Sequence, residues 1–354
     1  MTEMLTRPAD TSLWTDDFSG ILTCVEITDI THDVKSFAFE LPGATQLQFA
    51  PGQHLTFSFL VAGETVERCY TISSAPFQAT RPTITVKRVP GGPVSGWLHD
   101  QLRVGDTVSA SGPFGTFTPQ LHPAEKYLFL SAGSGITPLM SMTRALRERG
   151  GADIVFVHCT RTPEDIIFRS ELEEVARAGC ASVIIVCEDD APDEIWSGPR
   201  GRLSLPVLLA AAPDLLDREV FTCGPPPFMT AVHDHLDLLS ADPARCHQET
   251  FQLGGVPSAP VVATVPSATH QIRFRASGQV INCDSRTSVL TAAAEAGISL
   301  PSSCEEGVCG TCKTTMLAGK VDMQHGGGIR QREIDAGKIL LCCSTPLDDL
   351  ELDA

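Results

Sequence analysis

Basic residues are scarce: 26 lysines and arginines face 43 aspartates and glutamates across 354 residues, a formal charge of −17, with the excess heaviest between residues 121 and 264. So acidic a chain is poorly suited to nucleic acid or an anionic membrane, both of which attract basic surfaces. An acidic surface can instead steer a basic partner protein or simply keep the chain dissolved. No uninterrupted apolar run approaches the roughly 18 residues that a membrane-crossing helix needs. The opening stretch is polar and acidic, without the basic-then-apolar order of a secretory signal. The thirteen cysteines form no paired framework, which fits a reducing cytoplasm better than secretion. The ten histidines offer no Cys-x-His followed by Cys-x-x-His, the mark of a Rieske centre, and no convincing 2-His-1-carboxylate set for oxygen activation. His233-x-His235 looks like a metal pair, but on a helix residues two apart do not face each other. Internal repeats are also absent.

What is present begins with cysteine. Cys304, Cys309 and Cys312 follow a C-x4-C-x2-C spacing, and Cys342 comes after a long gap. A tight triple with a distant fourth is the plant-type pattern for a [2Fe–2S] cluster, a carrier of single electrons. Cys342, rather than the adjacent Cys343, gives the usual interval from Cys312. Small neighbours such as Ser302, Ser303, Gly307, Gly310 and Thr311 let backbone N–H groups approach the sulfurs. A zinc knuckle is the competing reading, since Cys309-x2-Cys312 alone would suit it. Zinc would want a second chelating pair, and Cys342–Cys343 is a poor one for a tetrahedral ion.

The chain divides into three units. After an N-terminal extension (1–19), residues 20–120 carry short apolar-alternating runs between Gly and Pro turns, as in a small all-β barrel. Residues 121–253 alternate strands with helices, with parallel strands expected at Tyr127–Ser131, Ile154–Cys159, Ser182–Glu188 and Glu219–Cys223 and helices at Leu139–Arg149 and Ser170–Ala178. That is a doubly wound α/β domain. A nearly uncharged linker (254–270) precedes a last α+β unit (271–354) with strands, one helix near Val289–Ala296 and the cysteine loop.

Each unit has its own motif. In the first, Arg68-Cys69-Tyr70-Thr71 supplies a bidentate phosphate grip, a flat ring and a hydroxyl. On a regular strand Thr71 points away from Arg68 and Tyr70, so one ligand can use all three only across a twist or bulge. Lys87 leads into Gly91-Gly92-Pro93-Val94-Ser95, whose glycines would bare N–H groups to a pyrophosphate ahead of a helix start near Gly96. Gly112-Pro113-Phe114-Gly115 makes a third turn. In the second unit, Gly133-Ser134-Gly135-Ile136-Thr137-Pro138 lies between strand and helix, a partial dinucleotide fingerprint with Pro138 in place of the third glycine. Thr137 is expected to cap the helix there, with Pro138 in its first turn. Cys223-Gly224 ends the fourth predicted strand, where a thiol could touch a nicotinamide ring. Each of these also reads as an ordinary turn or an inert thiol; their order along one chain is the stronger signal.

Together these residues resemble the ferredoxin–NADP reductase superfamily with a fused plant-type ferredoxin of β-grasp fold, over about residues 20–354. The domain order is similar to reductase components of Rieske-type oxygenases. It is especially similar to the glycine betaine demethylase reductase branch and to the NADH oxidoreductase that serves the hybrid-cluster protein. The resemblance implies FAD, NADH (with NADPH as the alternative) and a [2Fe–2S] cluster. FAD rather than FMN follows from Gly112–Gly115, which FMN-type relatives tend to lack. It places Arg68 on the flavin phosphates, Tyr70 on the isoalloxazine and Thr71 near its N5. Lys87, Gly92, Val94 and Ser95 would line the ribityl and pyrophosphate path. Gly133, Gly135, Thr137 and Pro138 would cradle the NAD(P) pyrophosphate, with Cys223 and Gly224 setting nicotinamide against the flavin. Glu249 and Phe251 match a Glu-x-aromatic close to the flavin. Cys304, Cys309, Cys312 and Cys342 would be the metal ligands. The implied activity is electron transfer from NADH through FAD and the cluster to a separate oxygenase or other acceptor protein. The alternatives are service to a hybrid-cluster protein and, in another class, a non-catalytic redox sensor.

Overall fold

The computed structural model describes residues 14–15, 18–61, 63–251, 268–298, 300, 307 and 310–354. Cys304, Cys309, most of the expected linker and most of the N-terminal extension lie outside them. Two compact units form, one from most residues up to Phe251 and one from most of the remainder.

The first unit opens with a six-stranded sheet: β1 Phe18–Thr31, β2 Val34–Glu40, β3 His54–Val61, β4 Glu64–Thr71, β5 Thr83–Lys87 and β6 Thr107–Phe114. Their order is β4-β3-β6-β1-β2-β5, with β1 antiparallel to β2 and β6, and β2 to β5. An isolated bridge between Ile72 and Ile84 brings the ends of the two outer strands together. Alternation fills the interior: Phe37, Phe39, Phe57, Leu55 and Ile84 are buried in one cluster with Leu98 of helix α1. Helix α1 runs Pro93–Asp100, starting three residues earlier than the sequence predicts. Pro93 makes this natural, because its missing N–H falls among the donors that a first turn leaves unused.

The same unit continues as five parallel strands. These are β7 Lys126–Ala132, β8 Asp153–Thr160, β9 Ser182–Cys187, β10 Glu219–Gly224 and β11 Cys246–Thr250, in the order β9-β8-β7-β10-β11. Helices α2 Ile136–Arg149, α3 Arg169–Arg177, α4 Leu205–Ala211 and α5 Pro226–Leu238 cover it. Alternate residues serve opposite faces: Tyr127, Phe129, Phe156 and Phe221 join one core, Leu128, Leu130, Val155 and Val157 the other. Burial on both faces explains the near-continuous apolar runs. Strand β11, absent from the expected set, is the exception: Cys-His-Gln-Glu-Thr has no apolar run, and the register with β10 alone makes it a strand.

The second unit holds β12 Thr269–Phe274, β13 Val280–Asp284, helix α6 Val289–Glu295, β14 Lys313–Ala318, β15 Lys338–Leu340 and β16 Leu350–Leu352. The sheet order is β13-β12-β16-β14-β15, with β12 and β16 parallel. Ser288 caps α6, its Oγ accepting from Thr291 N at 3.2 Å, and Val289, Leu290, Ala292 and Ala293 bury against Phe274 and Leu352. No helix among the described residues is long and apolar enough to cross a membrane.

Candidate functional site

The order of the parallel sheet reverses at β7, and ligands bind such sheets beyond the carboxyl ends of the strands at that switch point. The two motif segments meet there. A tight turn, Gly133–Gly135, leaves β7 and runs into α2. A Cβ on Gly135 would lie 2.2 Å from the carbonyl oxygen of Cys223, so the turn rests on the backbone of the next strand and only glycine fits. Thr137 does not cap the helix. Gly135 holds the cap position, and Thr137 Oγ1 instead donates to the Ser134 carbonyl at 3.1 Å. Helix formation two residues earlier wins because Ile136, fully buried, must face the core. Pro138 sits in the first turn as expected.

Cys223 pairs in register with Glu249, and Gly224 with Thr250. Both Cys223 and Glu249 are buried. Burial, then the Glu249 charge, pushes the Cys223 thiol well above its ordinary pKa, so it sits there as a neutral, polarisable thiol rather than a thiolate. Phe251 packs partly buried against the same core.

On the barrel, Arg68, Tyr70 and Thr71 all belong to β4. Arg68 donates to the Glu67 carbonyl at 2.7 Å. The Tyr70 ring stands edge-on to Phe57 and Phe59, at 6.0 and 6.3 Å between centroids, which fixes its plane. Thr71 ends the strand, buried, and its Oγ1 has no hydrogen-bond partner among the described residues. An orphaned buried hydroxyl at the flavin motif fits a polar edge of FAD, since such groups are otherwise costly. Ser95 Oγ accepts from Val89 N at 3.1 Å and donates to the Gly92 carbonyl at 3.3 Å, closing the turn at the start of α1, where Val94 is buried.

Lys87 is placed in an ion cluster. Its Nζ lies 3.0 Å from Asp33 and 4.0 Å from Asp165, and Arg161 lies 2.6 Å from Asp165 and 3.7 Å from Asp33. Burial works to raise the Asp165 pKa, but hydrogen bonds from Arg161 and Thr162 outweigh it and hold the carboxyl below its usual range. Nearby, His158 and Ser131, both fully buried, share a 2.8 Å bond. Burial and then Lys87 push the imidazole down to about 3, so it stays neutral.

In the second unit, the two described cysteines of the quartet adjoin: Cys342 N donates to Cys312 Sγ at 3.4 Å, and Gly307 N to Cys342 Sγ at 3.2 Å. Gly307 has φ +71°, and a Cβ there would lie 2.7 Å from Cys343 Sγ. Thiols that accept backbone N–H bonds are the donor set an iron–sulfur group requires. Cys343 Sγ turns instead to the Leu340 carbonyl at 3.7 Å.

One group escaped sequence reasoning. His122 and His247 stack at 3.6 Å, and His247 Nε2 lies 2.8 Å from Glu219. One ligand atom from each of His122, Glu219 and His247 lies within 4.8 Å of the others, and Arg245 also engages Glu219 at 3.0 Å. Glu219 and His247 lie at the amino ends of β10 and β11.

Comparison with known proteins agrees with this assembly. Residues 22–118 match the oxidoreductase FAD-binding domain, 129–234 the oxidoreductase NAD-binding domain and 272–347 the 2Fe-2S iron-sulfur cluster binding domain. Fold and site thus define an NAD-linked oxidoreductase that carries FAD and a [2Fe–2S] cluster. The chain is 41% identical to the glycine betaine monooxygenase reductase subunit of Pseudomonas aeruginosa, over the whole of both chains. It is 40% identical to a stachydrine N-demethylase reductase subunit of Rhizobium meliloti, over 99% of this chain and all of that one. Among solved structures, phthalate dioxygenase reductase superposes with a TM-score of 0.57 at 26% identity, covering 95% of this chain and 98% of that one. The chain belongs to the family of oxygenase reductase subunits.

Proposed function

We propose that this chain uses NADH to supply single electrons to a separate Rieske-type oxygenase that demethylates a quaternary amine, and that it does so in the cytoplasm. The observation that carries the reading is the seating of the Gly133–Gly135 turn on the Cys223 backbone, which a hydride-delivery site needs and a mere redox sensor does not. When bound, FAD accepts a hydride and releases its two electrons one at a time, and the cluster carries them singly. The chain's own residues supply position. Gly133, Gly135, Thr137 and Pro138 receive the pyrophosphate at the start of α2, Cys223 and Gly224 face the nicotinamide, and Tyr70 and Thr71 face the flavin ring with Arg68 on its phosphates. Cys304, Cys309, Cys312 and Cys342 hold the cluster. Support for the quaternary-amine substrate is the full-length likeness to the reductase subunits of a glycine betaine monooxygenase and a stachydrine N-demethylase. Support for the cytoplasm is the set of thirteen cysteines whose spacing shows no paired framework.

The test is reconstitution. Purified chain, NADH and a glycine betaine oxygenase component should release formaldehyde from glycine betaine, and omission of any one should stop it. NADH-dependent reduction of ferricyanide with no formaldehyde under any pairing would reject the assigned partner.

A further inference from the structure

Helix α2 begins at the nucleotide turn, and its middle is bolted to the barrel. Ser141 Oγ donates to the Ser74 carbonyl at 2.7 Å, and Arg144 Nη1 donates to the carbonyl of Ser73. Between them Met142 is fully buried, and it lies so close to the barrel loop that a Cβ on Gly52 would meet its Cε at 2.6 Å. Two α2 residues thus hold the segment that follows Thr71 on the flavin motif, and a third packs on the loop before β3.

Both sides of this joint are stiff. On the barrel side, Ser36, Thr85 and Ser73 form a chain of buried hydroxyls with 2.8 Å links, and Ser73 N donates to the Thr83 carbonyl at 2.8 Å. On the helix side, Arg144 is held bidentately by Glu171 of α3 at 2.7 and 2.5 Å, and its guanidinium lies 4.7 Å over the Phe168 ring. Phe168 has the left-handed φ of +59°, a conformation that non-glycine residues hold only when the surroundings enforce it. At about 1.5 Å of rise per residue, Ser141 and Arg144 lie roughly 8 and 12 Å along the axis from the helix start. The joint is therefore short and stiff between the nucleotide turn and the flavin strand.

We infer that Arg144 and Ser141 are positioning residues for hydride transfer: they set the gap between nicotinamide and flavin by fixing α2 to the Ser73 and Ser74 carbonyls. Hydride transfer demands reacting atoms within about 3.5 Å, and a misplacement of about 1 Å costs roughly a hundredfold in rate. Both side chains are engaged by the Ser74 and Ser73 carbonyls, so they act through the backbone they pin. This rests on the NADH–FAD reading above.

The experiment compares Arg144→Met, Ser141→Ala and Glu171→Gln in the full-length holoprotein by anaerobic flavin bleaching at saturating NADH. It adds NADH titration, thermal midpoint and the long-wavelength absorbance of nicotinamide stacked on flavin. Wild type must bleach first; failure there strikes the functional reading and not this one. Arg144→Met is expected to slow bleaching about tenfold to a hundredfold and to weaken the stacking band, with NADH affinity changed less than about threefold. Ser141→Ala should slow it about threefold. Glu171→Gln keeps an acceptor oxygen facing the guanidinium, so it should lower the thermal midpoint and leave rate and band near wild type. If rate merely tracks thermal midpoint across the three, or if folded Arg144→Met bleaches and stacks normally, the inference is overturned. Should Arg144→Met not fold, Ser141→Ala decides alone, and an unchanged rate and band there overturns it equally.

Discussion

The nucleotide turn and the cysteine-bearing unit both rely on glycine, but for different reasons. Gly135 is required by space: the neighbouring strand's carbonyl occupies the position a Cβ would take. Gly307 is required by conformation as well, since its φ of +71° turns an N–H toward the Cys342 sulfur. The hydride end is thus shaped by close main-chain packing inside a doubly buried sheet, and the single-electron end by backbone amides aimed at sulfur.

The largest test of this contrast lies in the second unit. Cys342→Ala is expected to abolish the cluster, read as loss of the reduced-state EPR signal, whereas Cys343→Ala should keep it. The opposite result would shift the ligand by one position.

In the first unit, Gly135→Ala should cost about 1–3 kcal/mol by overpacking and lower NADH-dependent flavin bleaching about a hundredfold. Calorimetry and stopped-flow absorbance measure the two effects, and a variant with normal bleaching would show that the turn can move off Cys223.

A smaller effect concerns coenzyme choice. A 2′-phosphate beyond β8 would have to compete for Arg161, which pairs with Asp165 and Asp33, and Glu164 adds a further carboxylate next to Asp165 in sequence. Like charge brought together is costly, so kcat/KM with NADH should exceed that with NADPH by about tenfold or more. Equal values would mean that the cluster opens.

The smallest effect is alkaline. Burial, the first cause in each case, raises the Cys159 thiol to about 12, the Cys187 and Cys283 thiols to about 11, and the Cys223 thiol well above its ordinary value. Folding keeps these thiols protonated above the value near 9.0 that they have when exposed. Their contribution is intact below pH 9 and is lost as pH rises toward 11, at up to about 1.4 kcal/mol per thiol per pH unit. The first unit holds three of the four, so its thermal transition should fall faster than that of the second across this range. A first-unit transition that stays level to pH 10.5 would contradict the assigned burial.

Sequence patterning made the first four parallel strands and their glycine turn legible, because strands buried on both faces write themselves as apolar runs. Cys312 and Cys342 were legible by spacing, and they do adjoin. Strand β11 was not, since Cys246–Thr250 is polar and owes its strandedness to β10. Helix α1 began early because its Pro93 read as turn, although proline suits a first helical position equally. The ion pairs of Lys87 were not legible, because one sequence cannot show that Asp33 and Asp165 converge on it. The Ser141 and Arg144 contacts span 67 and 71 residues between polar side chains and carbonyls, and carbonyls carry no sequence signature at all.

The seating of Gly135 also bears on engineering. The turn leans on main chain, which every residue type shares, so its resting place would survive wholesale exchange of the side chains along β10. Coenzyme preference and thiol chemistry could be rewritten on that strand while the cradle itself stayed put. A single methyl group on the turn is the change this architecture leaves no room for.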